Sequence, residues 1–518
     1  MIIIFHNNKR VCRVLSAEHD IVEYSKNDTI ALVILKLATA FPEKKIAWCH
    51  QSMENQLNTD FIKKYDAYKN ALFSFRQAAG NYLTDAIGYV ENCPFINIPK
   101  IKTYPTWLMS STVGFAHASV FLKIKDAIKP DANFDYFLNS LAKTYFTLGL
   151  FCYSEPALLH NGIAVNNAPT QKASRFTLFR FVKQHYRIRW IFLLLFNYMV
   201  YERKLPLLPF LFSFVYKRVN PGKYDISDVP FLPHSGIGPE DTVDVLIPTI
   251  GRKKYLYDTL QDLKNQDHPP VNVIIVEQNA DPNMGSELDY LTHETWPFII
   301  KHTFTHRIGA VNARNIALKQ LESKWVFFAD DDIRIENSFL SECILNCKNY
   351  GKKAITLSCL QKDEKFIDSL PFQWGSFGTC SSFVLSEILQ DIRFNLGIEL
   401  GYGEDYEYGK QIRASGTDVL FFSKPKIFHL KAPMGGFRTK FKFDWHGEKV
   451  QPKPSPTVML YKLLHQNIEE IRGYKTVLFF KYYKRQSVKN PFKYTIKFKK
   501  EWNQSVFWAN KLNEKNQT

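Results

Sequence analysis

A chain of 518 residues is longer than one hydrophobic core usually serves, so two or more domains are expected. Its 45% apolar and 23% charged content excludes wholesale disorder. The net charge of +17 is unevenly placed and points to anionic partners for part of the surface.

Taken in chain order, the opening Met-Ile-Ile-Ile-Phe-His-Asn-Asn-Lys-Arg has too short an apolar run for a signal peptide and no basic residue ahead of it. Ile46-Ala47-Trp48-Cys49 reads as a buried strand that runs into His50-Gln51-Ser52. Residues 171–220 then carry ten Lys and Arg against a single Glu, interleaved with Phe, Tyr, Trp and Leu. The apolar run Trp190 to Val200 is broken by Asn197 and is too short to span a bilayer, which takes about 18 or more apolar residues. It is either a buried helix or one lying in a membrane interface. Basic residues with interleaved aromatics suit anionic lipid headgroups or nucleic acid, and equally suit solvated helix faces with snorkelling Lys and Arg.

A Pro- and Gly-rich stretch from Asn220 to Asp241 reads as a linker. Beyond it the pattern alternates: strand at Val243–Pro248, helix at Lys254–Asn265, strand at Val271–Val276, helix at Gly309–Leu321, strand at Trp325–Ala329. Such alternation predicts a mostly parallel sheet covered by helices. The first strand ends in Pro248-Thr249-Ile250-Gly251-Arg252, where free N–H groups at a helix start and Arg252 favour an anionic ligand. The second ends at Glu277, a carboxylate able to accept from a base or ribose. Arg314, on the next helix, has the planar fork that pairs with a diphosphate.

The strand Trp325–Ala329 stops at Asp330, Asp331 and Asp332. Along an extended backbone Asp330 and Asp332 share one face and Asp331 takes the other. Two carboxylates held so close repel, and a hard cation such as Mg²⁺ or Mn²⁺ relieves the conflict while leaving positions open for phosphate oxygens. Downstream, Gly401-Tyr-Gly-Glu404-Asp405-Tyr-Glu-Tyr-Gly409 places two carboxylates at a helix start, where they either cap a surface helix or are kept ionised by its dipole and ready as a base. The strand Leu420–His429 follows, and then Lys431-Ala-Pro-Met-Gly-Gly-Phe-Arg438, whose glycines and cations suggest a lid over a diphosphate. Residues 431–518 carry nineteen Lys and Arg against six Asp and Glu, a second basic aromatic zone. The eight cysteines form no Cys-x-x-Cys pair, which fits a reduced, cytosolic chain. Cys343 and Cys347 fall one helical turn apart as packing residues.

Phe151-Cys-Tyr-Ser-Glu-Pro-Ala-Leu-Leu-His160 matches Leu420-Phe-Phe-Ser-Lys-Pro-Lys-Ile-Phe-His429 in Ser, Pro, His and apolar character. Ile46–Cys49 likewise parallels Val326–Ala329. The expectation is a degraded internal copy that has lost the acidic cluster.

The order Pro-Thr-x-x-Arg, Val-Glu-Gln-Asn, Ala-Arg-Asn, Asp-Asp-Asp, Glu-Asp and a strand ending in His resembles the inverting glycosyltransferases of family 2, over roughly residues 243–438. The resemblance implies a GT-A α/β fold, with a mostly parallel sheet and flanking helices, preceded by a degenerate α/β domain of similar type. It divides the chain into a degenerate, non-catalytic domain (1–220), a linker (221–242), a catalytic domain (243–438) and a basic helical extension (439–518). Asp330 and Asp332 match the family's DxD motif, which holds Mn²⁺ or Mg²⁺, and His429 matches a histidine completing that site. Asp405 matches the general base, supported by Glu404. Pro248, Thr249, Arg252, Glu277, Arg314, Asp330, Asp331 and Arg438 fall to the nucleotide-sugar, with a UDP-sugar as the first choice of donor. Glu277 stands where the family usually has Asp.

The implied reaction is sugar transfer to a growing surface polysaccharide or lipid-linked oligosaccharide, in the cytoplasm or at the inner face of the plasma membrane. Peripheral association with an anionic membrane is expected, and no nucleic-acid partner. Two alternatives stand beside it: nucleotidyl transfer onto a sugar phosphate, for which Ile250-Gly251-Arg252 is sparse in glycine, and a non-catalytic membrane- or nucleic-acid-binding scaffold.

Overall fold

The computed structural model describes residues 1–16, 20–66, 69–75, 80–99, 101–125, 128–160, 171–221, 236–433 and 441–517. The chain forms two compact units. Unit 1 comprises Met1–Phe231 and Gln466–Lys484, and unit 2 comprises Leu232–His465 and Arg485–Thr518. The helical C-terminal stretch, expected as one extension over 439–518, is thus divided between both units.

Unit 2 is built on a mixed nine-stranded sheet. Ile299–Thr305, Asn272–Gln278, Val243–Thr249 and Trp325–Ala329 run parallel and side by side. Ser381–Leu385 reverses direction, Ala354–Gln361 reverses again, and Leu420–His429 runs parallel to that strand. Val243–Thr249, Asn272–Gln278 and Trp325–Ala329 are buried at every residue, as expected of strands covered on both faces. Helices Lys253–Lys264 and Ala310–Leu318 form near their expected positions, with boundaries shifted by one to three residues. Cys343 and Cys347 are both buried on helix Phe339–Asn349.

The acidic strand is central. Phe328, two residues before Asp330, is fully buried and meets Phe377, Phe394 and Tyr408 with ring centroids 5.1, 6.2 and 6.1 Å away. Tyr408 lies on helix Glu404–Ala414, so one aromatic cluster fixes the acidic strand against the helix bearing Glu404 and Asp405.

Unit 1 holds a seven-stranded sheet. In chain order, six of its strands are Ile2–His6, Lys45–His50, Ala71–Ser74, Tyr104–Pro105, Val113–His117 and Phe151–Ser154. They pair in the same order and directions as Val243–Thr249, Trp325–Ala329, Ala354–Gln361, Phe372–Gln373, Ser381–Leu385 and Leu420–His429 of unit 2. Register agrees too: Lys45 faces His117 as Trp325 faces Leu385, so His50 holds the place of Asp330. The units diverge at one edge, where Val11–Ser16 lies antiparallel to its neighbour while Asn272–Gln278 lies parallel to its own.

Truncating Phe328 to Ala is expected to destabilise unit 2 by about 3–5 kcal/mol, since a fully buried ring leaves a cavity among three aromatic neighbours. Urea unfolding followed by near-ultraviolet circular dichroism checks the value.

Candidate functional site

The sheet directions bring several chain ends to one edge. Parallel strands Val243–Thr249, Trp325–Ala329 and Leu420–His429 present their carboxyl ends there, and antiparallel Ser381–Leu385 presents its start. This is where an open α/β sheet binds ligands. A cavity of about 390 Å³ lies at that edge. Its wall includes Pro248, Thr249, Arg252, Arg314, Asp330, Asp331, Glu404, Asp405 and His429. Nine of the eleven site residues read from the sequence within the described chain therefore meet around one space.

The three aspartates separate as the pleat requires. Asp331 turns inward and accepts from Thr249 Oγ1 at 2.7 Å and from Arg252 Nη1 at 2.6 Å. Burial pushes its carboxyl up to about 6 despite the guanidinium. Asp330 and Asp332 share the other side with His429, their ligand atoms lying within 4.8 Å of one another. Asp332 is not itself a wall residue but contacts His429 and Arg252, which are. Burial opposes its charge, but His429 Nε2 at 3.1 Å and the Ala432 N–H at 2.7 Å hold the carboxyl down to about 2. Asp332 in turn raises His429 to about 10. With the His429 proton released on binding, two carboxylates and an imidazole within reach of one point would form a donor set that suits Mn²⁺ or Mg²⁺.

Arg314 is buried, donates from Nη2 to Asp330 at 3.1 Å, and leaves Nε and Nη1 without a hydrogen-bond partner. It also faces Glu404 and Asp405 electrostatically. Gly403, at φ +120°, starts helix Glu404–Ala414 and so sets both carboxylates in its first turn. Burial raises Asp405, which accepts from the Thr379 N–H at 3.1 Å. Burial, with Asp405 beside it, pushes Glu404 up to about 7. A half-buried carboxyl poised near neutrality can take a proton from a hydroxyl.

Two expected site residues stand elsewhere. Glu277 does not reach the cavity wall; it accepts from Ser286 Oγ, from the Glu287 N–H and faces His302 Nε2 at 2.9 Å. Arg438 and most of the expected lid lie outside the described residues. Trp374 packs on Phe372 and Phe421 and is absent from the cavity wall.

Sequence reasoning missed several wall residues. Gln278, next to Glu277, accepts from the Gly309 N–H at 2.6 Å and reaches the cavity. Glu399 accepts from the Val311 and Asn312 N–H groups at the start of helix Ala310–Leu318. Gly309, at φ +145°, is required there because a Cβ would strike the Glu399 carboxylate. Cys380 lines the wall, with its Sγ 3.9 Å from that of Cys359. The acidic residue two places before Gly401 was a usable signal for Glu399; nothing in the local sequence marks the cysteines.

Residues 244–376 match the family model described as Glycosyl transferase family 2. Residues 244–376, within the second unit, thus form a family 2 glycosyltransferase domain on its mixed α/β sheet. No curated protein matches the chain. Among solved structures, S. aureus TarS is 16% identical over 46% of this chain and 42% of its own, with a TM-score of 0.33. Its 1–349 fragment in complex with UDP-GlcNAc is 17% identical over 51% of this chain and 79% of that one, with a TM-score of 0.36. GalNAc-T7 with UDP, GalNAc and Mn²⁺ is 10% identical over 44% and 48%, with a TM-score of 0.34. The chain thus spans under half the length of the intact TarS it matches.

The Glu404 carboxyl, raised from 4.5 to about 7, binds its proton more tightly in the folded state. Its contribution to stability is therefore full below pH 4.5 and is lost as pH rises through about 7. Glu404→Gln removes that loss. The melting midpoint of the variant is expected to gain on wild type across this window and to hold a constant lead above it.

Proposed function

We propose that unit 2 transfers a sugar, with inversion, from a nucleotide-sugar to a hydroxyl of a growing surface polysaccharide or lipid-linked oligosaccharide. A UDP-sugar is the first choice of donor. One observation carries the reading: the Asp330, Asp332 and His429 cluster and the Glu404–Asp405 pair line or adjoin the same cavity. An acceptor hydroxyl and a departing diphosphate need those two chemistries on opposite sides of one sugar carbon.

Asp330, Asp332 and His429 would hold Mn²⁺ or Mg²⁺, and the bound cation supplies charge neutralisation for the leaving nucleoside diphosphate. Asp405, raised by burial, is a stronger base than a solvated carboxylate and takes the acceptor proton. Glu404 beside it, raised to about 7, supports that base. Arg314 has unspent donors in the same wall, which suit a phosphate oxygen or sugar hydroxyl. Thr249 and Arg252 act by orienting Asp331 at the nucleotide end. Glu277, turned towards Ser286 and His302, bears on a donor base only through that loop.

Unit 1 reads as a second copy of the same core without its chemistry. Matching strand order and register support this, as does His50 at the place of Asp330, followed by Gln51 and Ser52. It is assigned no catalytic part.

Asp405→Asn is expected to lower turnover of a nucleotide-sugar by roughly 10²–10⁴-fold with donor binding kept, the span that one general base contributes. Asp332→Asn and His429→Ala should each abolish the rise in melting midpoint that Mn²⁺ gives wild type. Undiminished turnover in folded Asp405→Asn and Asp332→Asn proteins defeats the proposal. His50→Ala should leave turnover unchanged, and a large loss there removes the non-catalytic reading of unit 1.

A further inference from the structure

The basic aromatic zone of unit 1 folds into two helices that the interior only half covers. Helix Arg189–Glu202 buries Ile191, Leu194, Asn197 and Tyr198, yet Phe192, Phe196, Met199 and Val200 face outward. Helix Leu207–Ser213 buries Pro209, Phe210 and Ser213 and exposes Leu207, Leu208, Leu211 and Phe212. A helix apolar on every side belongs in a core or in lipid, and here, among the described residues, one side is left largely uncovered, with Phe196 meeting Phe480 at a centroid distance of 5.3 Å. The exposed sides of the two helices adjoin, since exposed Phe192 meets exposed Phe214 at a centroid distance of 6.2 Å and buried Phe210 beneath at 5.2 Å. Leu208 is 72% and Val215 67% exposed, so these are projecting side chains, not edges of a core. Arg187, Arg189, Arg203, Lys204, Lys217 and Arg218 are exposed around that face, and Glu202 is the only acidic residue between 171 and 220.

We propose that this face inserts into the headgroup and upper acyl region of an anionic bilayer, the helices lying flat on the membrane. At 14 residues, the longer helix spans about 21 Å, short of the roughly 30 Å hydrocarbon thickness. No helix among the described residues is long and apolar enough to cross a membrane. Cations at the rim meet lipid phosphates while Phe and Leu enter the acyl boundary. Nucleic acid would satisfy the cations but offers nothing to Leu208, Leu211 and Val215, which cannot stack on bases. A two-fold contact with a second copy would set one cationic rim against another. The inference stands on unit 1 alone, so failure of sugar transfer leaves it intact and its own failure leaves the transfer reading intact.

Flotation of the full chain with vesicles of phosphatidylcholine, with and without one-third phosphatidylserine, tests it. Partitioning into the anionic vesicles is expected to exceed that into neutral ones by roughly tenfold or more. Replacing Phe192, Leu208, Leu211 and Phe212 by Ser should lower it by roughly a hundredfold. Leu208→Ser and Val215→Ser alone, at fully projecting positions, give a graded loss if the fourfold variant does not fold. Arg187→Gln with Arg189→Gln should remove much of the preference for phosphatidylserine. Absence of flotation, equal flotation on both vesicles, or wild-type flotation by the Ser variants overturns the proposal. So does a lipid-free dimer that the Ser variants dissolve, which assigns the face to a second copy.

Discussion

Three carboxylates at the tip of one buried strand cannot coexist without positive charge brought from elsewhere, and the architecture of unit 2 answers that demand. Arg252 arrives from the turn after the first strand and reaches both Asp331 and Asp332. Arg314 comes from a covering helix to Asp330, and His429 from the end of a strand nearly a hundred residues later. None of these pairings is a surface ion pair of small consequence, because the aspartates are wholly or largely buried. Removing one partner would leave an uncompensated charge, so the site is also a structural keystone of its sheet edge.

Positive charge alone would neutralise the edge without giving it chemistry. The second carboxylate pair supplies the asymmetry: Glu404 and Asp405 are raised by burial, whereas Asp332 is held low by its hydrogen bonds. Carboxyls in one cavity, pushed apart in acidity by their surroundings, divide into charge holders and proton acceptors. The Phe328, Phe377, Phe394 and Tyr408 cluster keeps the two groups in fixed relation, since it packs both the acidic strand and the helix that starts at Glu404.

The two units show how little of such a site belongs to the fold itself. Six strands agree in order, direction and register, yet His50, Gln51 and Ser52 stand where unit 2 has its aspartates. In unit 1, His50 turns to Ser52, and His6 to the Ser111 carbonyl oxygen, satisfied contacts that call for no cation. What unit 1 presents outwardly is an apolar face ringed by cations, a property of its helical end and not of its sheet.

Strands Val243–Thr249, Asn272–Gln278, Trp325–Ala329 and Leu420–His429, and the division of Asp330 and Asp332 from Asp331, were readable in advance, because hydrophobic period and side-chain alternation are local properties of the backbone; Ile299–Thr305, Ala354–Gln361 and Ser381–Leu385 were not read. The glycines before Glu404 announced the helix start for the same reason. The sequence could not show that Gln278 faces the cavity while Glu277 turns to Ser286 and His302. Nor could it show that Glu399 meets the N–H groups of Val311 and Asn312, or that Cys359 and Cys380 approach each other. Each of those depends on which chain ends the sheet gathers at one edge, and that convergence is decided by packing between segments tens of residues apart, not by the residues beside them.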